Sequence, residues 1–176
     1  MSDFGMKLDV INEDDIVIDT MSSQKIHKAH LLHRSVHIIV QNYEKEIYVR
    51  RRSDHLELYP GVWTSSVGEH VFVGEYYEQA AQKALEGFLG LDTSLVFVGK
   101  QRVEDAIENE LMGVFLSFSN KIPYLNPEHS ESGAFLSLEK VKTLIQNGRT
   151  TPHLAAAIKI VLQQKGEGYR EVSLAR

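Results

Sequence analysis

Residues 68–91 read GEHVFVGEYYEQAAQKALEGFLGL. The second part of this stretch has the spacing of a helix. Tyr77, Ala80, Ala81, Ala84, Leu85 and Phe88 recur at three- and four-residue steps, which places them on one stripe. Gly90 follows as a stop, because glycine accepts the left-handed conformation in which helices end. The spacing predicts a helix over 76–89. Within it Ala84, Gly87 and Phe88 stand at i, i+3 and i+4 and share a face. None of the three can bind a metal ion, and Gly87 costs about 1 kcal/mol against Ala in a helix interior. Upstream, 62–73 reads as extended chain with a loop towards its end.

Working outward, Leu8–Ile11 and Ile16–Ile18 flank the acidic turn Asn12-Glu13-Asp14-Asp15 and predict a small hairpin. Residues 22–30 predict a short polar helix with Ser22 or Ser23 at its N-cap. Strands are predicted over 36–40, 46–52, 95–98 and 111–118, with Glu108 and Glu110 leading into the last. Residues 137–146 form an amphipathic helix with Ser137 at the cap and Glu139 in its first turn. A last helix over 152–164 starts on Pro152. Strands followed by helices predict an α+β chain, an α/β/α sandwich. We expect a single domain over 1–176: hairpin and short helix in 1–30, core in 31–165, tail in 166–176.

The chain has 176 residues, 43% of them hydrophobic and 24% charged, which suits one globular core. No apolar run approaches the roughly 20 residues that cross a bilayer, and 1–10 lacks the basic and apolar parts of a signal peptide. The expectation is a cytoplasmic protein with no membrane partner. The absence of Cys removes disulfides, thiolate nucleophiles and thiolate metal ligands together. A net charge of −5, with Arg50-Arg51-Arg52 as the one basic block, argues against a nucleic-acid polymer as partner. A small anion held by a few local cations remains compatible.

The stretch from Gly68 to Glu75, followed by the Ala-rich helix and Leu89-Gly90-Leu91, resembles a Nudix box, G-x5-E-x7-R-E-U-x-E-E-x-G-U with U a bulky aliphatic. Aligned on Glu75 and Gly90-Leu91, its first glycine falls on Glu69 with Gly68 beside it. The R-E-U-x-E-E core falls on Lys83-Ala84-Leu85-Glu86-Gly87-Phe88. In the family, carboxylates on that face converge on divalent ions that bridge phosphate oxygens and activate water. Here they are erased. His33-Arg34-Ser35-Val36-His37, Arg51-Arg52, Pro60-Gly61-Val62-Trp63, His70 and Glu108-Asn109-Glu110 further resemble the isopentenyl-diphosphate-isomerase-like branch. The resemblance covers 7–162 and implies a Nudix fold, a mixed sheet flanked by helices.

The resemblance implies a metal centre of His27, His33, His70, Glu108 and Glu110, with His30 competing for the place of His27. A divalent ion (Mg, Mn or Zn) is the implied cofactor. Four of the eight histidines lie between 27 and 37. Glu108 and Glu110, two residues apart on a strand, project to one face. Glu110 is the implied catalytic residue, preferred over Glu75, Glu78 and Glu108 as general base. Arg52 and Lys83 keep the cationic substrate-binding places. Other positions depart from the family: its proton-donating Cys falls on Gly68, a diphosphate-contacting Lys on Leu56, a box-helix Glu on Phe88, and an aromatic that faces the carbocation on Phe135. Three functions stay open. The first is a Nudix hydrolase-like protein acting on a small nucleotide or isoprenoid diphosphate, with altered or reduced activity. The second is an isomerase-like enzyme with a replaced proton donor; the third is a non-catalytic binding or regulatory protein. Substrate and oligomeric state are not legible.

Overall fold

The computed structural model describes residues 6–166. Its strands are β1 (Lys7–Ile11), β2 (Val17–Ser22), β3 (His33–Gln41), β4 (Ile47–Arg52), β5 (Trp63–Thr64), β6 (Val67–His70), β7 (Leu95–Glu104), β8 (Asn109–Phe118) and β9 (Ser130–Leu136). The helices are α1 (Ser23–Lys28), α2 (Tyr77–Leu89), α3 (Leu138–Gln146) and α4 (Pro152–Gly166). The strands join one mixed sheet with β3 at its centre. β8 pairs with β3 in parallel, and β6 pairs with it antiparallel.

Alternation along β3 builds two cores. Val36, Ile38 and Val40 pack with Ala80, Ala81, Ala84, Leu85 and Leu89 of α2 on one face. Ile39, with Met112, Val114 and Leu116 of β8, packs on Val141 of α3 and on Leu154, Ala157, Ile158 and Val161 of α4 on the other. Helices therefore cover both faces, the expected α/β/α sandwich. The α3 cap is the expected one, Ser137 accepting the Lys140 N–H at 3.4 Å. At α4, Thr151 Oγ accepts the Leu154 N–H at 3.3 Å.

Several boundaries differ from the sequence reading. β3 begins at His33, and β7 runs on to Glu104 through an irregularity between Phe97 and Gly99. Glu110 lies inside β8 rather than ahead of it. The extended 62–73 splits into β5 and β6. Strand β9 was not expected, because Ser130-Glu131-Ser132-Gly133 has no apolar alternation; it forms by pairing with β4 from Ile47 to Arg52. Beyond residue 166 the expected tail lies outside the described residues.

Gly87 is exposed on α2, and a Cβ added there meets nothing within 4 Å. Gly87→Ala therefore adds helix propensity without a clash. A gain of about 1 kcal/mol is expected, raising the thermal midpoint by roughly 2–4 °C; an unchanged or lower midpoint would refute this.

The N-terminal hairpin is tied to the sheet through Asp15. Its carboxylate accepts from Arg34 Nε and from Lys100 Nζ, each at 2.5 Å, and lies 3.3 Å from the Tyr77 hydroxyl. Burial alone would raise the Asp15 carboxyl, but the hydrogen bonds from Lys100 and Arg34 outweigh it and hold it below its ordinary 3.8. A depressed folded value means stability that is present above the unfolded pKa and lost as pH falls through the folded one. Asp15→Asn suits the left-handed backbone there (φ 62) but removes the charge. It should cost about 2 kcal/mol at neutral pH. The gap from the parent should narrow as pH falls below 3.8, which denaturant melts at several pH values would read.

Candidate metal centre

The sheet register gathers the site. His33 stands beside Glu110 across the parallel β3–β8 pair, Ser35 opposite His70 and His37 opposite Gly68 across β3–β6. Side chains two apart on a strand, and directly opposed across a pair, share a face. His33, Ser35, His37, Gly68, His70 and Glu110 therefore occupy one end of one sheet face. α1 brings His27 to it from the N-terminal side, and the first turn of α4 brings His153.

Three imidazoles form a triangle: the His27, His33 and His70 ring centroids stand 5.1, 5.1 and 5.2 Å apart. Glu108 Oε2 lies 3.5 Å from His27 Nε2 and 3.9 Å from His33 Nε2. Glu110 Oε1 lies 3.5 Å from His33 Nε2 and 3.4 Å from His70 Nε2. Ligand atoms of His27, His33, His70 and Glu108 fall within 4.8 Å of one another. His33 Nδ1 lies 3.0 Å from the Leu31 carbonyl. A carbonyl only accepts, so Nδ1 carries the proton and Nε2 presents its lone pair inward, as metal-binding histidines do. That Nε2 and Glu108 Oε2 are buried without hydrogen-bond partners. Two carboxylates and three inward imidazoles around a hollow fit a divalent cation, which would satisfy both orphaned atoms. His30 points elsewhere, 3.9 Å from the exposed Glu104.

The electrostatics separate the two acids. Burial, then the neighbouring Glu110, pushes the Glu108 carboxyl up to about 7. Burial would raise Glu110 too, but His153, His33 and His70 outweigh it and hold Glu110 well below the carboxylate range. Glu110 Oε2 accepts from Ser35 Oγ at 2.7 Å and lies 2.9 Å from His153 Nε2.

A cavity of about 210 Å³ opens beside this cluster, its walls including Arg50, Arg52, Tyr59, His70, Glu110 and His153. It adjoins a hollow of about 750 Å³ that reaches Leu56, Phe88 and His129. Arg50 and Arg52, two apart on β4, line both, whereas Arg51 turns to Asp54 and Glu131. Arg52 donates to the Leu58 and Tyr59 carbonyls. Arg50 donates to Ser130 Oγ at 2.9 Å, and its buried Nε has no hydrogen-bond partner. Burial, then Arg52, lowers Arg50 to about 10, so it stays cationic at neutral pH. One buried and one half-buried guanidinium side by side suit a phosphate group. Lys83 does not line either cavity; its Nζ sits on Glu75 Oε1 at 2.9 Å.

Comparison with known proteins matches this architecture. An isopentenyl-diphosphate Δ-isomerase of Photorhabdus laumondii is 29% identical over 123 residues, 66% of this chain and 70% of its own. An uncharacterized Nudix hydrolase of Nostoc is 29% identical over 136 residues, 77% of this chain and 68% of its own. The crystal structure of DR0079 from Deinococcus radiodurans superposes with a TM-score of 0.76 at 23% identity, covering 87% of this chain and 97% of that one. The chain has the Nudix fold and is similar in sequence to isopentenyl-diphosphate isomerases and Nudix hydrolases. No family model matches it. In this Nudix-like fold the helix at the box position is α2, whose Ala84 is buried in the core and whose Phe88 packs 5.6 Å from both His129 and the Arg50 guanidinium. Phe135, at the family's aromatic position, packs on Tyr48 at 5.2 Å and does not line the cavities.

Gly68, the place of the family's Cys, is filled from elsewhere. A Cβ built there falls 2.7 Å from His37 Cε1, 3.1 Å from Nδ1 and 3.2 Å from Nε2. The His37 ring is buried, stacked on His153 at 4.8 Å and 4°. Gly68→Cys thus overpacks the site rather than restoring a donor. It should cost about 1–3 kcal/mol, and pairing it with His37→Ser should recover most of that loss. A single Gly68→Cys variant that melts like the parent would sink this reading.

The sequence reading missed His37 and His153 as site residues, along with Ser35, Arg50 and Tyr59. His37 lies two and four residues from Ser35 and His33, a period-two signal that was available. His153 had none beyond following a helix-starting Pro.

Proposed function

We propose that this chain of Nudix fold is a metal-dependent hydrolase-like protein for a small diphosphate ester. Its metal would sit in the His27, His33, His70, Glu108, Glu110 cluster, away from the box helix. The single observation that carries the reading is that His70, Glu108 and Glu110 of this cluster line the same cavity as the paired Arg50 and Arg52. Imidazole-rich donor sets favour Zn or Mn over Mg. A bound divalent ion would supply Lewis acidity and a water of lowered pKa.

The chain's own residues do the rest. Arg50 and Arg52 bind the diphosphate oxygens and orient the ester towards the cluster. Glu110, held ionised by its histidines, takes the proton of the attacking water as the new P–O bond forms and the bridging P–O bond breaks. Leu56, Leu58 and Phe88 give the outer hollow an apolar wall, which suits an isoprenoid tail better than a nucleobase requiring hydrogen bonds. Relatives named as isomerases raise the alternative of alkene isomerisation. The retained ligand residues favour it, but Gly68 offers no acid and His37 occupies the space.

The test is phosphate release by metal-loaded protein from isoprenyl and nucleoside diphosphates, with solvent deuterium exchange into isopentenyl diphosphate run alongside. Release with little exchange is expected. Exchange at enzymic rates without release would establish the isomerase instead. Tight diphosphate binding with neither would leave a binding protein.

A further inference from the structure

The two oxygens of Glu110 face different ways. Oε1 meets His33 and His70, whereas Oε2 meets His153 and Ser35. On the Oε2 side, His37, His153 and Glu110 form a second buried ligand group, each offering an atom within 4.8 Å of the others. We propose that His37, His153 and Glu110 Oε2 hold a second transition-metal ion, with the Glu110 carboxylate bridging it to the first. This rests on the metal centre of the proposed function and extends it to a two-metal site, in which both Glu110 oxygens are ligands and the role of general base passes to Glu108.

Three observations support the second site. The first is a fixed tautomer. Ser65 Oγ donates to the Val67 carbonyl at 3.0 Å and lies 2.7 Å from His37 Nδ1. Its one hydrogen is committed, so His37 Nδ1 donates to it and Nε2 keeps the lone pair for a ligand. The second is access. With no side chain at Gly68, the His37 ring reaches the wall of the inner cavity, which Glu110 and His153 also line. The third is His153 Nε2, which is buried and lies 2.9 Å from Glu110 Oε2, close enough to share one ion with it. Two donors on one tetrahedral Zn stand about 3.4 Å apart, so the group closes by small side-chain rotations.

The chemistry has a purpose. Two-metal sites with ions about 3.5–4 Å apart clamp the attacking and leaving oxygens of a phosphoryl group. The box helix has lost its acids at Ala84, Gly87 and Phe88, and this second ion would restore that charge from the opposite wall. Two dications exceed the charge of Glu108 and Glu110, and an anionic diphosphate balances the surplus.

The test is equilibrium dialysis of the full chain against Zn(II), elemental analysis, and anomalous diffraction at the Zn edge. The expected result is two ions per chain, on either side of Glu110. His37→Gln and His153→Gln should each retain one ion, and His70→Gln should retain the second. One ion in the parent, lost with His70→Gln but kept with His153→Gln, would overturn the second site and leave the proposed function standing. One ion lost with His153→Gln but kept with His70→Gln would support the second site and remove the first. No ion in the parent would overturn both. The parent's anomalous map decides the matter even if a variant fails to fold.

Discussion

Glu110→Gln should abolish phosphate release, with a loss of about 10²–10⁴-fold, the usual contribution of a positioned acid or base. The substitution keeps the volume and removes the charge. Glu110 is 4% exposed and stands among His33, His70 and His153, so no water replaces its carboxylate. Metal content should fall with the rate, because a neutral amide is a weaker partner for a dication than an anion. Glu78→Gln, at the exposed first turn of α2, should leave both unchanged. Full metal content with a rate within a few-fold of the parent would remove Glu110 from the mechanism.

Metal loading should raise the thermal midpoint by about 8–16 °C over chelated protein. Free ion at a thousand times its dissociation constant adds about 4.1 kcal/mol, and each kcal/mol moves a chain of this size by roughly 2–4 °C. The sign of the pH dependence follows from the ligands. Imidazoles must be neutral to bind, so the shift shrinks as the solution is made acidic. Glu108, pushed up to about 7 by burial and by Glu110, must also release its proton, so affinity keeps rising through neutrality. Identical melts with metal and with chelator would make the cluster a polar wall and favour the binding-protein reading.

The fold was legible where burial follows a period. The Ala and Leu stripe of α2 and its Gly90 stop read directly, and so did the apolar alternation of β3 and β8. β9 was illegible because its stability lies in pairing with β4 rather than in its own residues. At the site, family resemblance suggested His33, His70, Glu108 and Glu110, and the fold brings these side chains near one another; local spacing could not show it. Arg50 and His153 depend on which strand face and helix turn meet across the cavity, a tertiary fact. Lys83 shows the reverse: a matching position whose side chain belongs to a surface pair with Glu75.

The parallel pairing of β3 with β8 has a kinetic consequence. It sets His33 beside Glu110 across nearly half of the described chain, and such distant parallel contacts form slowly. The ligand set is therefore complete only once the central sheet has closed, too late for an ion to template the early collapse. Interactions absent from the folding transition state act on the reverse step. Metal should leave the refolding rate nearly unchanged and lengthen the lifetime of the folded protein.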